Sequence, residues 1–174
     1  MADLAARVHA AAHLVGEFTL RSGAVSDEYF DKYRFEADPG LLREIAEDMA
    51  PLVPEATDLL AGLELGGVPL ATMVSQVTGH RARFVRKQAK EYGTRLLAEG
   101  GPVDGARICL IEDVITSGGA VIDAARALRD AGAVVDTVVC VIDREAGGVE
   151  KLAGLGVEVR ALFTRTDLDT AASG

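Results

Sequence analysis

Two adjacent acidic residues followed by a short polar turn form the most distinctive chemical pattern in the chain. Glu112 and Asp113 follow an apolar run at 108–111, and residues 116–119 read Thr-Ser-Gly-Gly. Such a turn offers closely spaced backbone N–H groups, two hydroxyls and a helix N-terminus, which together can bind a phosphate. Carboxylates would repel that phosphate, but they match the hydroxyl donors of a sugar. The pattern predicts a site for a phosphorylated sugar; an acidic turn with an N-capping Thr or Ser is the ordinary alternative.

The sequence around this pattern predicts a strand–helix–strand unit. A strand at 107–111 is followed by a polar turn at 112–119, a helix at 120–130 and a strand at 134–142. Both strands are nearly all apolar, which is typical of parallel strands covered on both faces, and the unit should make a right-handed crossover. Because open parallel sheets bind ligands beyond the carboxyl ends of their strands, the acidic pair is expected at the ligand-binding edge.

The rest of the chain repeats the alternation of strands and helices. Short β-prone runs alternate with turns at 18–35, and a polar stretch at 87–105 that lacks periodicity is expected to be a mobile loop. These features predict a single α/β domain over residues 1–174, with a Rossmann-like, mainly parallel sheet flanked by helices. Periodicity, turn residues and an N-cap at Asp38 predict further helices at 4–15, 39–51 and 69–77 and further strands at 58–61, 83–86 and 157–163.

Charge and composition exclude several classes of protein. Of the 174 residues 49% are apolar, and 27 acidic and 18 basic side chains leave a net charge of −9. A general binder of nucleic acid or anionic membranes needs net positive charge, and no apolar run approaches the roughly 20 residues of a membrane span. The N-terminal residues are expected to form a helix rather than a signal peptide. Cys109 and Cys140 lie in apolar runs without metal-ligand or disulfide spacing, so a reducing cytoplasm is the expected location.

The segment at 108–120 resembles the 5-phosphoribosyl-1-pyrophosphate signature of the type I phosphoribosyltransferases: an apolar strand, two acids, two apolar residues, then Thr and a Gly-rich turn. The resemblance implies a core at about 37–165 with a small N-terminal hood at about 1–36. It also implies that Glu112 and Asp113 hold the ribose hydroxyls. The residues that would wrap the 5′-phosphate are Thr116, Ser117, Gly118, Gly119 and Ala120.

A second segment resembles the base-binding block of the orotate branch of this family. Residues 18–31 match its pattern F-x-L-x-S-G-x-x-S-x-x-Y/F-F/Y. The resemblance implies that Tyr29 and Phe30 flank the base, that Arg21 approaches it from a position that is often Lys, and that Thr116 also contacts it. Without the surrounding block, the two aromatic residues would be interpreted as an ordinary half-buried strand pair.

A third segment, at 141–145, resembles the Asp-Arg pair at a strand end of the same branch. A guanidinium can bind a carboxylate through two parallel hydrogen bonds. Because orotate differs from uracil by a carboxylate, Arg144 is expected to recognise the base. A salt bridge from Arg144 to Asp143 or Glu145 is the alternative.

Two more segments resemble parts of the family that handle pyrophosphate. Residues 84–94 resemble the R-K-x-x-K-x-H-G motif of the catalytic loop. Six of the eighteen Lys and Arg residues lie between 81 and 95, and cations that close over pyrophosphate would favour its departure; a solvated basic loop is the alternative. The motif's cations are Arg86, Lys87 and Lys90, with Tyr92 where the family has His.

The turn at 62–69 is placed like the family's pyrophosphate loop, but it lacks a Tyr-Lys pair that some relatives carry. The backbone amides of Gly66 and Gly67 remain as possible ligands for pyrophosphate oxygens. Mg²⁺ is expected to be held by substrate oxygens rather than by a dedicated set of protein ligands.

The resemblance implies an enzyme of pyrimidine biosynthesis that joins orotate to the ribose of 5-phosphoribosyl-1-pyrophosphate and releases pyrophosphate. It also implies a homodimer in which the basic loop of one subunit covers the site of the other. No nucleic-acid or membrane partner is expected. Two alternatives stay open: a phosphoribosyltransferase for a different base, and a non-catalytic, nucleotide-sensing regulator of the same fold. The intact basic loop favours an enzyme.

Overall fold

The computed structural model describes residues 2–19, 23–87 and 97–173. Within these ranges the strands are β1 His13–Thr19, β2 Val25–Phe30, β3 Leu59–Leu63, β4 Arg81–Val85, β5 Ala98–Glu99, β6 Arg107–Ile115, β7 Val134–Asp143 and β8 Glu158–Thr164. The helices of the same ranges are α1 Ala2–Ala12, α2 Tyr33–Ala37, α3 Pro39–Met49, α4 Gly67–Thr78, α5 Gly119–Asp130, α6 Gly148–Gly154 and α7 Arg165–Ala172. None of these described helices is long and apolar enough to cross a membrane.

Six strands form one sheet in the order β5-β4-β3-β6-β7-β8, and β1 pairs with β2 in a separate antiparallel hairpin. All neighbours in the large sheet are parallel except the short β5, which runs antiparallel to β4. Helices cover both faces. One buried cluster lies under α1, α3, α4 and α7, and a second lies under α5 and α6. The predicted α/β fold with a mainly parallel sheet is therefore confirmed.

The central strand β6 is longer than predicted. Its pairing with β7 continues past Glu112, which lies opposite Cys140, as far as Ile115, opposite Asp143. The acidic pair therefore lies in the last part of the strand, and the prediction of a turn beginning at Glu112 is wrong. The reason is that β7 extends to Asp143 beside it, so the ladder of backbone hydrogen bonds continues.

The predicted cap of α3 is confirmed, because the Asp38 carboxylate accepts hydrogen bonds from the backbone N–H groups of Gly40 and Leu41 at 2.9 and 3.0 Å. The predicted helix at 4–15 is wrong in its last turn. The chain leaves the helix after Ala12, and His13 pairs with Phe30 as the hairpin begins. The apolar pattern continues beyond this point, but the pairing with β2 determines the backbone conformation.

The predicted loop at 87–105 is also too long. Arg86 donates its backbone N–H to Leu97 O at 2.9 Å, and β5 follows at once. The buried Arg83 guanidinium donates to Pro102 O at 3.2 and 3.3 Å. One of the six basic residues at 81–95 is therefore used to anchor the chain, and residues 97–105 are structured. Residues 88–96 lie outside the described residues.

Candidate active site

The acidic pair lies buried at the carboxyl edge of the sheet. Asp113 has no exposed surface, and Glu112 has only 8% of its surface exposed. The backbone N–H of Asp113 donates to Glu112 Oε1 at 3.0 Å, and the N–H of Val114 donates to Asp113 Oδ1. Backbone contacts thus orient both carboxyl groups where β6 ends.

Two residues that sequence reasoning missed, Lys32 and Glu36, lie beside the acidic pair. The four residues Lys32, Glu36, Glu112 and Asp113 form the acidic cluster. Lys32, which directly precedes α2, places its Nζ atom 2.6 Å from Asp113 Oδ2. Glu36, one helical turn later, is buried, and its Oε1 atom has no hydrogen-bond partner among the described residues. Their i, i+4 spacing was the available signal, since it places two side chains on one side of a helical turn.

The cluster has perturbed acid–base behaviour. Burial, followed by the negative charge of the adjacent Asp113, raises the pKa of Glu36 to about 8. Burial and the same neighbour raise the pKa of Glu112 well above its ordinary value. Burial alone would lower the pKa of Lys32, but its contact with Asp113 outweighs that effect and the pKa is raised. The cluster therefore combines an ammonium group with two carboxyl groups, those of Glu36 and Glu112, whose pKa values are raised.

The predicted phosphate turn lies at the N-terminus of α5. Gly118 has a φ of 74°, a left-handed conformation that favours glycine. No side chain of the described residues caps this helix, and the Thr116, Ser117, Gly119 and Ala120 positions are exposed. Helix N-terminal amides that lack a cap can bind an anion. The five residues predicted to contact phosphate are thus together around one helix end.

The predicted pyrophosphate turn lies at the N-terminus of a second helix, α4. A Cβ atom at Gly66 would overlap Asp113 Oδ2 and lie 2.8 Å from Glu36 Oε1, and a Cβ at Gly67 would overlap Ile111 O. Glycine is therefore required at both positions by close approach. The acidic cluster thus lies against the glycine-containing end of α4.

The start of the predicted catalytic loop is hydrogen-bonded to the pyrophosphate turn at 62–69. The Glu64 carboxylate accepts the backbone N–H of Lys87 at 3.0 Å, and the Glu64 N–H donates to Val85 O at 2.8 Å. Arg86 and Lys87 line a cavity of about 660 Å³ that also reaches Gly119 and Ala120 at the start of α5. Lys90 and Tyr92 lie outside the described residues.

Most of the described base-binding candidates surround another cavity, of about 300 Å³. Tyr29, Phe30 and Arg144 all line it. The Arg144 guanidinium carbon lies 5.7 Å from the centre of the Phe30 ring, and the Tyr29 ring lies 5.5 Å from that of Phe18. Thr116 is found at the phosphate turn instead, and Arg21 lies outside the described residues.

Arg144 does not form the alternative salt bridges. Asp143 Oδ1 accepts the backbone N–H of Glu145 at 2.9 Å, and the Glu145 carboxylate accepts from the N–H and the hydroxyl of Thr166 at 3.0 and 2.7 Å. Within the described part of the chain, no ion pair joins Arg144 to either acid. Its guanidinium is therefore available to a ligand in the cavity.

Comparison with known proteins identifies the family of this chain. The phosphoribosyl transferase domain model matches residues 34–156. Over 170 residues the chain is 62% identical to orotate phosphoribosyltransferase from a Nocardioides species, covering 98% of this chain and 95% of that protein. The chain belongs to the orotate phosphoribosyltransferase family. The orotate phosphoribosyltransferase of Halobacterium salinarum is 48% identical, with 95% of each chain covered.

Solved structures agree with this family assignment. A crystal structure of orotate phosphoribosyltransferase from Mycobacterium tuberculosis H37Rv superposes with a TM-score of 0.87 at 33% identity, over 96% of this chain and 97% of that one. The same enzyme in complex with 5-phospho-alpha-D-ribosyl 1-diphosphate gives a TM-score of 0.82 at 30% identity, covering 97% and 98%. The family domain at 34–156 includes both glycine turns, the acidic pair and Arg144, whereas the hairpin and Lys32 precede it.

Proposed function

We propose that this chain transfers the phosphoribosyl group of 5-phosphoribosyl-1-pyrophosphate to orotate, which yields orotidine 5′-monophosphate and pyrophosphate. The observation that carries the proposal is that the acidic cluster lies against the N-terminal turn of α4 and directly precedes, along the chain, the turn that opens α5. The substrate has the same order of groups, with a ribose between a pyrophosphate and a 5′-phosphate. Helix N-termini suit the two anionic groups, and carboxyl groups suit the hydroxyls between them.

The chemistry proposed is displacement at the anomeric carbon by a base nitrogen, without a covalent intermediate on the protein. The bond to pyrophosphate breaks while positive charge develops on the ribose ring. Carboxyl groups of Glu112 and Asp113 hold the hydroxyls of that ring, and Asp113 adds negative charge beside it. The cations Arg86, Lys87 and Lys90 stabilise the negative charge that grows on the leaving pyrophosphate. Lys90 and Tyr92 are assigned here by family resemblance.

Mg²⁺ is proposed to enter with the substrate, held by its pyrophosphate and ribose oxygens, and it would supply positive charge to the leaving group. The donor set of the protein fits this arrangement. Lys32 already pairs with the buried Asp113, so this carboxylate is occupied by a cation of the protein. Mg²⁺ commonly binds with few protein ligands and completes its coordination with phosphates and water.

The base is proposed to bind beside Phe30, with Arg144 pairing with the orotate carboxylate and with Tyr29, Arg21 and Thr116 completing the contacts. The cavity beside the guanidinium of Arg144 supports this assignment. A turnover assay that compares orotate, uracil, adenine and hypoxanthine tests it. Orotate alone should give nucleotide and pyrophosphate. Turnover of another base in place of orotate would establish a different phosphoribosyltransferase, and no turnover with any base would favour a regulator.

The assembly and location are also proposals. A homodimer in which the basic loop of one subunit covers the site of the other is proposed from the family resemblance. The segment at about 1–36 is proposed to act as a hood over the core at about 37–165. The two free, buried cysteines suit the cytoplasm.

A further inference from the structure

The contact of Lys32 and Glu36 with Asp113 connects the segment after the hairpin to the carboxyl edge of the sheet. We propose that Lys32 and Glu36 are positioning residues, which together hold Asp113 as an oriented acceptor for a ribose hydroxyl of 5-phosphoribosyl-1-pyrophosphate. The inference rests on the proposed function, and it adds two residues that lie outside the signature motif at 108–120. Neither residue is required to touch the substrate.

Lys32 stabilises a carboxylate that is otherwise costly to bury. Asp113 has no exposed surface, whereas the Lys32 side chain keeps 33% of its surface exposed. A buried carboxylate needs a partner, since its desolvation strongly disfavours the charged form. The backbone sets the position of Lys32, because the Asp31 N–H donates to Ala12 O at 2.8 Å and Asp31 Oδ1 accepts the N–H of Tyr33 at 3.2 Å.

Glu36 approaches the same carboxylate from α2. Asp113 Oδ2 and Glu36 Oε1 both lie within 2.8 Å of the position that a Cβ atom would take at Gly66, and no described residue donates a hydrogen bond to Glu36 Oε1. Two ionised carboxylates this close would repel each other, whereas a proton on Glu36 converts the contact into a hydrogen bond to Asp113. Because the pKa of Glu36 is about 8, the protonated donor predominates at neutral pH.

The charged groups that face Glu36 come from two elements. Asp113 and, beside it, Glu112 lie on β6, while Lys32 and Asp31 belong to the segment that leads into α2. From α4 the facing residue is Gly66, which carries no side chain. Lys32 favours the ionised form of Glu36, and the negative charges of Asp113 and Asp31 oppose it. As pH rises through about 8, Glu36 therefore loses its proton and repels Asp113.

The groups that donate hydrogen bonds to the Asp113 carboxylate leave one of its acceptor positions for the substrate. An ionised carboxylate has about four acceptor positions. Lys32 and protonated Glu36 approach Oδ2, and the Val114 N–H occupies one position of Oδ1. One position of Oδ1 then remains for a ribose hydroxyl. Loss of either donor should release Asp113 from this orientation and weaken its contact with the ribose.

The test measures kcat and the KM for 5-phosphoribosyl-1-pyrophosphate from pH 6 to 9.5, with saturating orotate. The proteins are the wild type, Glu36→Gln, Lys32→Met, Lys32→Arg and the control Arg43→Met. Arg43 forms an exposed ion pair with Glu47 on α3, so Arg43→Met removes a cation outside the site. Any pH dependence that comes from ionisation of the substrates themselves remains in this control. Binding of 5-phosphoribosyl-1-pyrophosphate without orotate is measured in parallel by calorimetry.

Lys32→Met should raise the KM roughly tenfold to a hundredfold, the range for a lost charged hydrogen bond, and change kcat much less. Lys32→Arg should recover a large part of that loss. The wild type and Arg43→Met should lose kcat/KM above about pH 8, the pKa of Glu36. In Glu36→Gln that loss should disappear, because an amide donates a hydrogen bond at every pH.

Two outcomes would overturn the inference. An unchanged KM in Lys32→Met would remove Lys32 from the site, and a decline of Glu36→Gln parallel to the wild type would remove Glu36. If Lys32→Met does not fold by circular dichroism, the neutral variant Lys32→Gln is measured in its place, because a wild-type KM without the positive charge would contradict the role of Lys32. A wild type that binds 5-phosphoribosyl-1-pyrophosphate with this pH dependence but does not use orotate would refute the proposed function and leave the inference standing.

Discussion

Replacing Gly66 by Ala should damage the acidic cluster through a single added methyl group. The backbone at Gly66 has φ −65° and ψ −33°, which an L-residue adopts without strain, so any effect comes from the Cβ atom. That atom would lie 2.5 Å from Asp113 Cγ and 2.8 Å from Glu36 Oε1. Carbon atoms in contact prefer about 3.5–4.0 Å. Asp113 would therefore have to move by roughly 1 Å, away from its contact with Lys32.

The expected cost has two parts. Overpacking a buried site typically costs about 1–3 kcal/mol of unfolding free energy, which in a chain of this size lowers Tm by roughly 2–12 °C. Misplacing a substrate-positioning group by about 1 Å can lower the rate roughly a hundredfold. Gly66→Ala should therefore lose a few degrees of Tm and about two orders of magnitude in kcat/KM for 5-phosphoribosyl-1-pyrophosphate.

Gly154→Ala is the matched control, because nothing lies within 4 Å of a Cβ added there at the end of α6. Alanine in a helix is favoured over glycine by about 0.5–1 kcal/mol, so this variant should keep its activity and gain slightly in Tm. Both proteins are compared by thermal unfolding and steady-state kinetics. Wild-type activity and stability in Gly66→Ala would refute the close packing of Gly66 against Asp113.

Three further predictions concern the base, the loop and the thiols. Arg144→Ala should leave the orotate carboxylate unpaired and cost about 2–5 kcal/mol in kcat/KM for orotate, and unchanged kinetics would place the base elsewhere. Lys90→Ala should lower kcat more than it raises KM, because charge on pyrophosphate grows as the bond breaks. Mixing Lys90→Ala subunits with inactive Asp113→Asn subunits should restore activity approaching half that of wild type in each mixed dimer, because one of its two sites is then intact. No recovery despite verified exchange of subunits would exclude sites shared between subunits. Burial raises the pKa of Cys109 to about 12 and raises that of Cys140 too, so a thiol reagent at pH 8 should label neither until the protein is unfolded, and rapid labelling of the folded protein would contradict that burial.

The sequence by itself determined the features that depend on local patterns. The strand–helix–strand unit around residues 107–142 was predicted because apolar runs, a glycine turn and helical periodicity occur in direct succession. The α3 cap at Asp38 followed from the same kind of local chemistry, since the carboxylate bonds to amides two and three residues later. The acidic pair and the α5 turn could be predicted together because both belong to one strand end.

Tertiary structure decided the features that depend on residues far apart in the chain. The pairing of His13 with Phe30 ended α1, although the apolar pattern continued, and the length of β7 extended β6 through Asp113. The i, i+4 spacing of Lys32 and Glu36 could place these two side chains together, but no local pattern could show that they meet Gly66 and Asp113, because three separate segments bring these residues together. Their burial then sets which groups carry protons, since pKa values depend on the desolvation and neighbouring charges that only the packed structure supplies.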